Sequence, residues 1–270
     1  MPEYNLARML RQAGVRVDVT LPPIVMTRAM ERELEAIIRE IVETWRGIVN
    51  EGILPVYASA LVSGQVEALT RALERASSLM VPIRAGAAVS VAAWTTRVDR
   101  WHRQTWGRQI EARGVNAFPF IDIRANSAEI VAMQARITSL IRSIDERARA
   151  DVADAVWRNF VAQAPRAQLA AQIRDRLGVS RSRARLIAID QANKVSAELT
   201  KLRQQEAGIE WFEWETVGDD RVRETHAELH GQQFRWDEPP SIGLPGTEVN
   251  CRCTGRAIAR VSEESNAVAA

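Results

Sequence analysis

Several kinds of residue are scarce in this 270-residue chain. Lysine occurs only at Lys194 and Lys201, so arginine supplies 34 of the 36 basic side chains. Arginine makes planar, bidentate contacts to carboxylate and phosphate that lysine cannot; a GC-rich genome accounts for the same bias. Cysteine is confined to Cys251 and Cys253. One C-x-C element excludes a disulfide scaffold, which needs several pairs, and suits a reducing compartment or a metal site. Nor is there an excess of charge of one sign: 36 basic and 34 acidic residues leave +2. That balance excludes a binder of nucleic acid that relies on its overall field and leaves only local patches for such a role. No apolar run approaches the roughly 20 residues needed to span a bilayer. The first twenty residues carry Glu3, Arg8, Arg11, Arg16 and Asp18 and lack the apolar stretch of a secretory signal. The expectation is a soluble protein made in the cytoplasm, with no membrane partner.

Hydrophobic residues make up 46% of the chain. A chain of this length buries roughly 75% of its unfolded surface, so global disorder is excluded. Residues 1–23 read as an irregular arm closed by Pro22-Pro23, through which no helix runs. From Ile24, Leu34, Ile37, Ile38, Ile41, Val42, Trp45, Ile48 and Val49 recur at helical spacing. Gly52 and Pro55 predict a break. Further helices are expected over 56–80, ended by Pro82, and over about 83–112, with Trp94 and Trp101 on one face. Val115 to Arg124 reads as extended. A fourth helix is expected from Asn126 or Ser127 to about Gln163, then two more over 166–177 and 181–207, with Gly178 ending the first and Ser180 capping the second.

After Gly208 the texture changes. Trp211 to Val217, Gln233 to Trp236 and Cys253 to Val261 read as strands. Gly218-Asp219-Asp220 is turn chemistry, and a helical turn covers about 221–230. The fold class is mainly α: a long-helix region over 24–207 followed by a small α+β C-terminal module over 208–262, then a tail over 263–270. So small a module has too little core to stand alone and needs a staple, either a metal or docking onto the helices.

That module holds two of the three histidines and both cysteines. His226 and His230, four apart, share a helix face; Cys251 and Cys253, two apart, share one side of a strand. Two imidazoles and two thiolates suit tetrahedral zinc, although the C-x-C spacing is tighter than usual. The competing reading is a pair of buried thiols beside a hydrogen-bonded histidine. Metalloprotease chemistry is excluded, because alanine occupies position 227, where a glutamate base would have to stand. A metal-dependent hydrolase built on Asp219, Asp220 and His226 lacks a second carboxylate cluster, and turn acids before a helix are more often caps.

Trp214…Gly218-Asp219-Asp220-Arg221-Val222-Arg223…His226…Leu229-His230-Gly231, closing with Asn250-Cys251-Arg252-Cys253, resembles the phage Mu F-like head morphogenesis domain. Upstream, Leu169-Ala170…Leu177-Gly178-Val179-Ser180…Arg183-Ala184…Ile187-Ala188…Gln191-Ala192 is similar to that family's paired helices. The family usually has Arg-Thr-Glu where this chain has Ile189-Asp190-Gln191, and often an acid at the position of His230. The resemblance covers about 126–256. It implies a non-enzymatic minor head protein of a tailed phage, a virion component assembled in the host cytoplasm. Its implied partners are the portal ring and other head proteins, with roles in head morphogenesis, capsid assembly and genome packaging or delivery. Asp219 and Arg221 are expected to brace the turn, Arg223 and Gly231 to belong to the structural motif, and Asn250 to hold the cysteine loop.

One charged patch supports an alternative. Six arginines and one acid lie between Arg166 and Arg185, and Leu169 to Asn193 resembles a helix-turn-helix. Arg174, Arg176, Arg181 and Arg183 then contact phosphate, as a DNA-binding protein or in non-specific contact with packaged DNA, or else dock on an acidic partner or form a solvated helix face. Trp94, Trp101 and Trp106 either stack on bases or belong to a core or interface. His102 is expected to be hydrogen-bonded or exposed, without a special role.

Overall fold

A computed structural model describes residues 4–121 and 128–262. The expected helix start at Asn126 or Ser127 and the tail over 263–270 lie outside the described residues.

The helices are longer and fewer than the sequence predicts. Helix α1 (Leu6–Gln12) and strand β1 (Val19–Thr20) occupy the arm expected to be irregular. Helix α2 (Arg28–Ile48) buries Leu34, Ile38, Ile41, Val42 and Trp45. It does not stop at Gly52. One π-helical turn (Val49–Ile53) leads directly into α3 (Leu54–Ser63), whose first turn accepts Pro55 because that N–H has no helical partner. The stop comes at Gly64, in the left-handed region, with its N–H on Ala60 O at 2.8 Å.

Helix α4 (Val66–Glu111) runs straight through Pro82, which lies exposed, so the missing hydrogen bond is lost at the surface rather than in the core. A 3-10 turn, Phe118–Phe120, stands where an extended segment was expected. Helix α5 (Ala128–Val161) buries Ile130, Met133, Ile137, Ile141 and Ile144. Helix α6 (Arg166–Glu206) is one continuous 41-residue helix. Gly178 keeps a negative φ and neither ends nor turns it. The paired helices and the helix-turn-helix reading are therefore replaced by a single rod.

By length and composition alone, α4 is apolar enough to cross a bilayer, contrary to the expectation from the sequence. Only 22% of that stretch is buried, and Leu79, Val81 and Val89 are exposed.

The chain divides into two compact units. One comprises Glu31–Thr95 and Ala128–Ile189. In it, buried Asp145 accepts the Trp45 indole N–H at 2.7 Å and pairs with Arg84, and the Tyr57 hydroxyl donates to Ala164 O at 2.7 Å. Trp94 is fully buried there, so it is core rather than a stacking platform.

The other unit comprises Met1–Met30, Thr96–Ser127 and Asp190–Ala270. Its antiparallel sheet has the order β1-β4-β2-β3, with β2 at Trp211–Glu215, β3 at Gln233–Arg235 and β4 at Thr254–Ala259. Phe212, Trp214, Gly255 and Ala257 share one face. On the other, Arg256 pairs with Glu213, directly opposite it, and with Glu215. Gly255 leaves room for neighbours: a Cβ there would meet Trp236 at 2.9 Å and Phe212 at 3.1 Å. The core joins Tyr4, Leu6, Leu10, Val19 and Leu21 of the arm to Trp106, Ile110, Ile209 and Ala257. The expected staple is present as docking on the end of α6, where Gln204 donates to Gly255 O and accepts the Trp236 indole N–H.

Candidate metal centre

Four short pieces of chain meet at the second cluster of this unit. Strand β2 supplies Trp214, fixed by main-chain hydrogen bonds to Gln232 and Gly231, both at 2.8 Å. The turn after it is closed by Asp219, which accepts Arg221 N at 3.2 Å and both terminal nitrogens of Arg252 at 2.6 and 2.7 Å. That pair holds the Asp219 carboxyl below its ordinary range. Arg223 flanks the single-turn helix α7 (Glu224–Ala227) and donates to Val249 O at 2.8 Å. Helix α7 presents His226, which is 3% exposed.

The loop carrying the cysteines is pressed onto α6. Gly246 has φ +81°, and a Cβ there would lie 2.5 Å from the Ala197 Cβ, so both conformation and close approach require glycine. Asn250 is also left-handed, at φ 57°, and its N–H donates to Asp190 Oδ1 at 2.7 Å. Lys194 and Gln191 hold the other oxygen of Asp190, each at 2.9 Å.

The result is a cluster of three buried donors. His226 Nδ1 lies 3.4 Å from Cys251 Sγ and 3.4 Å from Cys253 Sγ, and the three ligating atoms lie within 4.8 Å of one another. His226 Nε2 faces Glu248 Oε2 at 3.1 Å. The imidazole stands edge-on to the Trp214 ring, with centroids 5.4 Å apart. A hydrogen bond from Cys253, main-chain N–H groups of Cys253 and Gly246, and nearby His226 pull the Cys251 thiol down to about 5. The hydrogen bond to Cys251, together with burial, pushes the Cys253 thiol up. Two sulfurs and an imidazole, one sulfur already disposed to ionise, form a donor set that can coordinate a soft divalent metal.

All of these groups fall within residues 132–256, which match the family described as Phage Mu protein F like protein. This segment is similar to that family. A Haemophilus influenzae (strain ATCC 51907 / DSM 11121 / KW20 / Rd) relative carrying the name "Uncharacterized protein" is 38% identical over 142 residues, which is 52% of this chain and 32% of the relative. The chain thus spans about a third of that relative's length. No solved structure matches it.

Within the Mu F-like segment, the structure brings together His226, Cys251 and Cys253 but leaves His230 outside. The helix that would have carried both histidines on one face ends at Ala227, and His230 Nδ1 instead accepts Thr216 N at 3.2 Å. The two cysteines precede β4 rather than lying on it, yet both sulfurs reach the imidazole. Gly231 closes the turn onto Trp214 O, and Asn250 ties the loop to Asp190. Asp220 is exposed and outside the donor cluster. Glu248, Trp214, Asp190 and Arg252 were not singled out as site residues from the sequence, and no local signal marked Glu248, whose position three residues before Cys251 is ordinary until the loop folds onto His226.

The four arginines of the charged patch differ in state. Arg176 is bound to Asp154 at 2.7 Å and to Asp151 O at 3.2 Å. Arg181 lies 3.7 Å from Glu43. Arg174 and Arg183 make no ion pair among the described residues.

Proposed function

We propose that this chain is a minor head protein of a tailed phage or a phage-derived particle. It docks at the portal ring and acts in head assembly and genome packaging or delivery by binding rather than by catalysis. The observation that carries this reading is the family match over 132–256, with the His226–Cys251–Cys253 cluster inside it. Two features support a binding role. The cavity against the cluster measures about 10 Å³, room for one water and not for a substrate. In the other unit, Leu79, Val81 and Val89 of α4 are exposed, leaving apolar side chains of the kind that partners bury.

The reading as a sequence-specific DNA-binding protein has no such support, since α6 is unbroken and Arg176 is already paired. Contact with packaged DNA is restricted to non-specific contact through exposed arginines such as Arg174 and Arg183, with affinity falling steeply as salt rises.

Co-expression with a tailed-phage portal protein tests the proposal. The chain is expected to sediment with assembled rings in a fixed ratio and to show no hydrolase turnover. Rings that assemble and sediment without it would overturn the reading.

A further inference from the structure

We infer that His226, Cys251 and Cys253 hold one zinc ion per chain. It is bound through Nδ1 and the two sulfurs, with one water in the fourth position and Glu248 steering the imidazole. The site is independent of the docking role above and is tested without a partner.

The spacing is that of a coordination sphere. Zinc–sulfur bonds of about 2.3 Å and zinc–nitrogen bonds of about 2.0–2.1 Å at tetrahedral angles put sulfur and nitrogen about 3.5 Å apart. Both observed separations are 3.4 Å.

The proton count points the same way. Glu248 is a carboxylate and only accepts, so Nε2 carries the imidazole proton. Nδ1 is then left with one lone pair in the ring plane, facing two sulfurs at equal distance. A pair of neutral thiols cannot share it well; a metal between the three atoms uses all of them. A carboxylate behind the ring also fixes orientation and raises ligand basicity, as at histidine-bound zinc generally.

Trp214 adds a separate observation. Its side chain is fully buried, and its indole N–H has no hydrogen-bond partner among the described residues. A metal-bound thiolate gives that N–H the acceptor it otherwise lacks. Two thiolates and one imidazole select zinc over oxygen-seeking cations. The fourth position faces the cavity of about 10 Å³ bordered by Arg221, Arg223 and Arg252, enough for a single water.

The full-length chain, purified under reducing conditions without chelator, is expected to contain about one zinc per molecule and to melt lower after chelation. Cys251→Ser and Cys253→Ser are expected to lose the metal. Because those variants can also unfold, two measurements avoid them. Stripped wild-type protein titrated with Co²⁺ is expected to give thiolate-to-cobalt charge transfer and a tetrahedral spectrum. Glu248→Gln is expected to keep that spectrum and bind Zn²⁺ about 10–100-fold more weakly. Less than about a tenth of an equivalent after reconstitution with Zn²⁺, or an octahedral, oxygen-only cobalt spectrum, would overturn the site. Unchanged Zn²⁺ affinity in Glu248→Gln would overturn the role of Glu248.

Discussion

At Gly246 two requirements coincide: a left-handed backbone and a helix wall 2.5 Å from where a Cβ would stand. Gly246→Ala is expected to destabilise the fold by about 1–3 kcal/mol from backbone strain alone, read by urea unfolding; an unchanged midpoint would mean that the loop does not rest on α6. In the other unit, Asp145→Ala leaves the buried Trp45 N–H without its acceptor and Arg84 without its partner. Arg84 is 34% exposed and recovers some solvation, so the expected loss is about 2–4 kcal/mol, below a fully buried pair. The sequence exposed the donors of the metal centre because histidine and cysteine are scarce and clustered. It hid Glu248, Trp214 and Asp190, since an acid three residues before a cysteine or a tryptophan on a strand is ordinary until folding brings it to the ring of His226.

Among the elements, the three C-terminal strands were legible, while β1 and the helix ends were not. Alternation in Trp211, Phe212 and Trp214 marks a half-buried strand whatever surrounds it. Gly52, Pro55, Pro82 and Gly178 are local signals that packing along the rest of a long helix overrode. Gly178 offers the sharpest check. With a helical φ and no atom within 4 Å of an added Cβ, Gly178→Ala is expected to stabilise the protein by up to about 1 kcal/mol. A loss of stability would restore a turn at that position.

Helices α4 and α6 also share a buried ionic cluster. Asp99 binds Arg203 at 2.5 Å and Arg103 at 2.8 Å. Beside them, fully buried His102 faces the Thr200 hydroxyl at 3.2 Å. Burial, then Arg203 and Arg103, hold the His102 pKa down at about 3. The folded chain thus keeps this imidazole neutral where the unfolded chain, with a pKa near 6.5, takes up a proton. Its contribution is fully present above about pH 6.5 and is lost as the pH falls, by up to about 1.4 kcal/mol per unit. Between pH 7 and 5, His102→Gln is expected to flatten the urea-stability profile relative to wild type. Parallel profiles would contradict a neutral buried His102.

For the molecule as a whole, the arm matters more than its sequence suggested. Strand β1 covers one edge of β4, and Leu6, Leu10, Val19 and Leu21 belong to the core. Removal of residues 1–21 therefore exposes both a strand edge and apolar surface. The truncated chain is expected to aggregate or to lose a cooperative melt; an unaltered melting temperature would return the arm to the status of an appendage. The Mu F-like segment accounts for 132–256, while the exposed Leu79, Val81 and Val89 of α4 lie outside it. The most direct measurement of the central claim is zinc-edge X-ray absorption on the metal-loaded full-length chain. It is expected to show two sulfur neighbours at about 2.3 Å with nitrogen and oxygen neighbours at about 2.0–2.1 Å. A sphere without sulfur, or one made of sulfur alone, would contradict the convergence of His226 with Cys251 and Cys253.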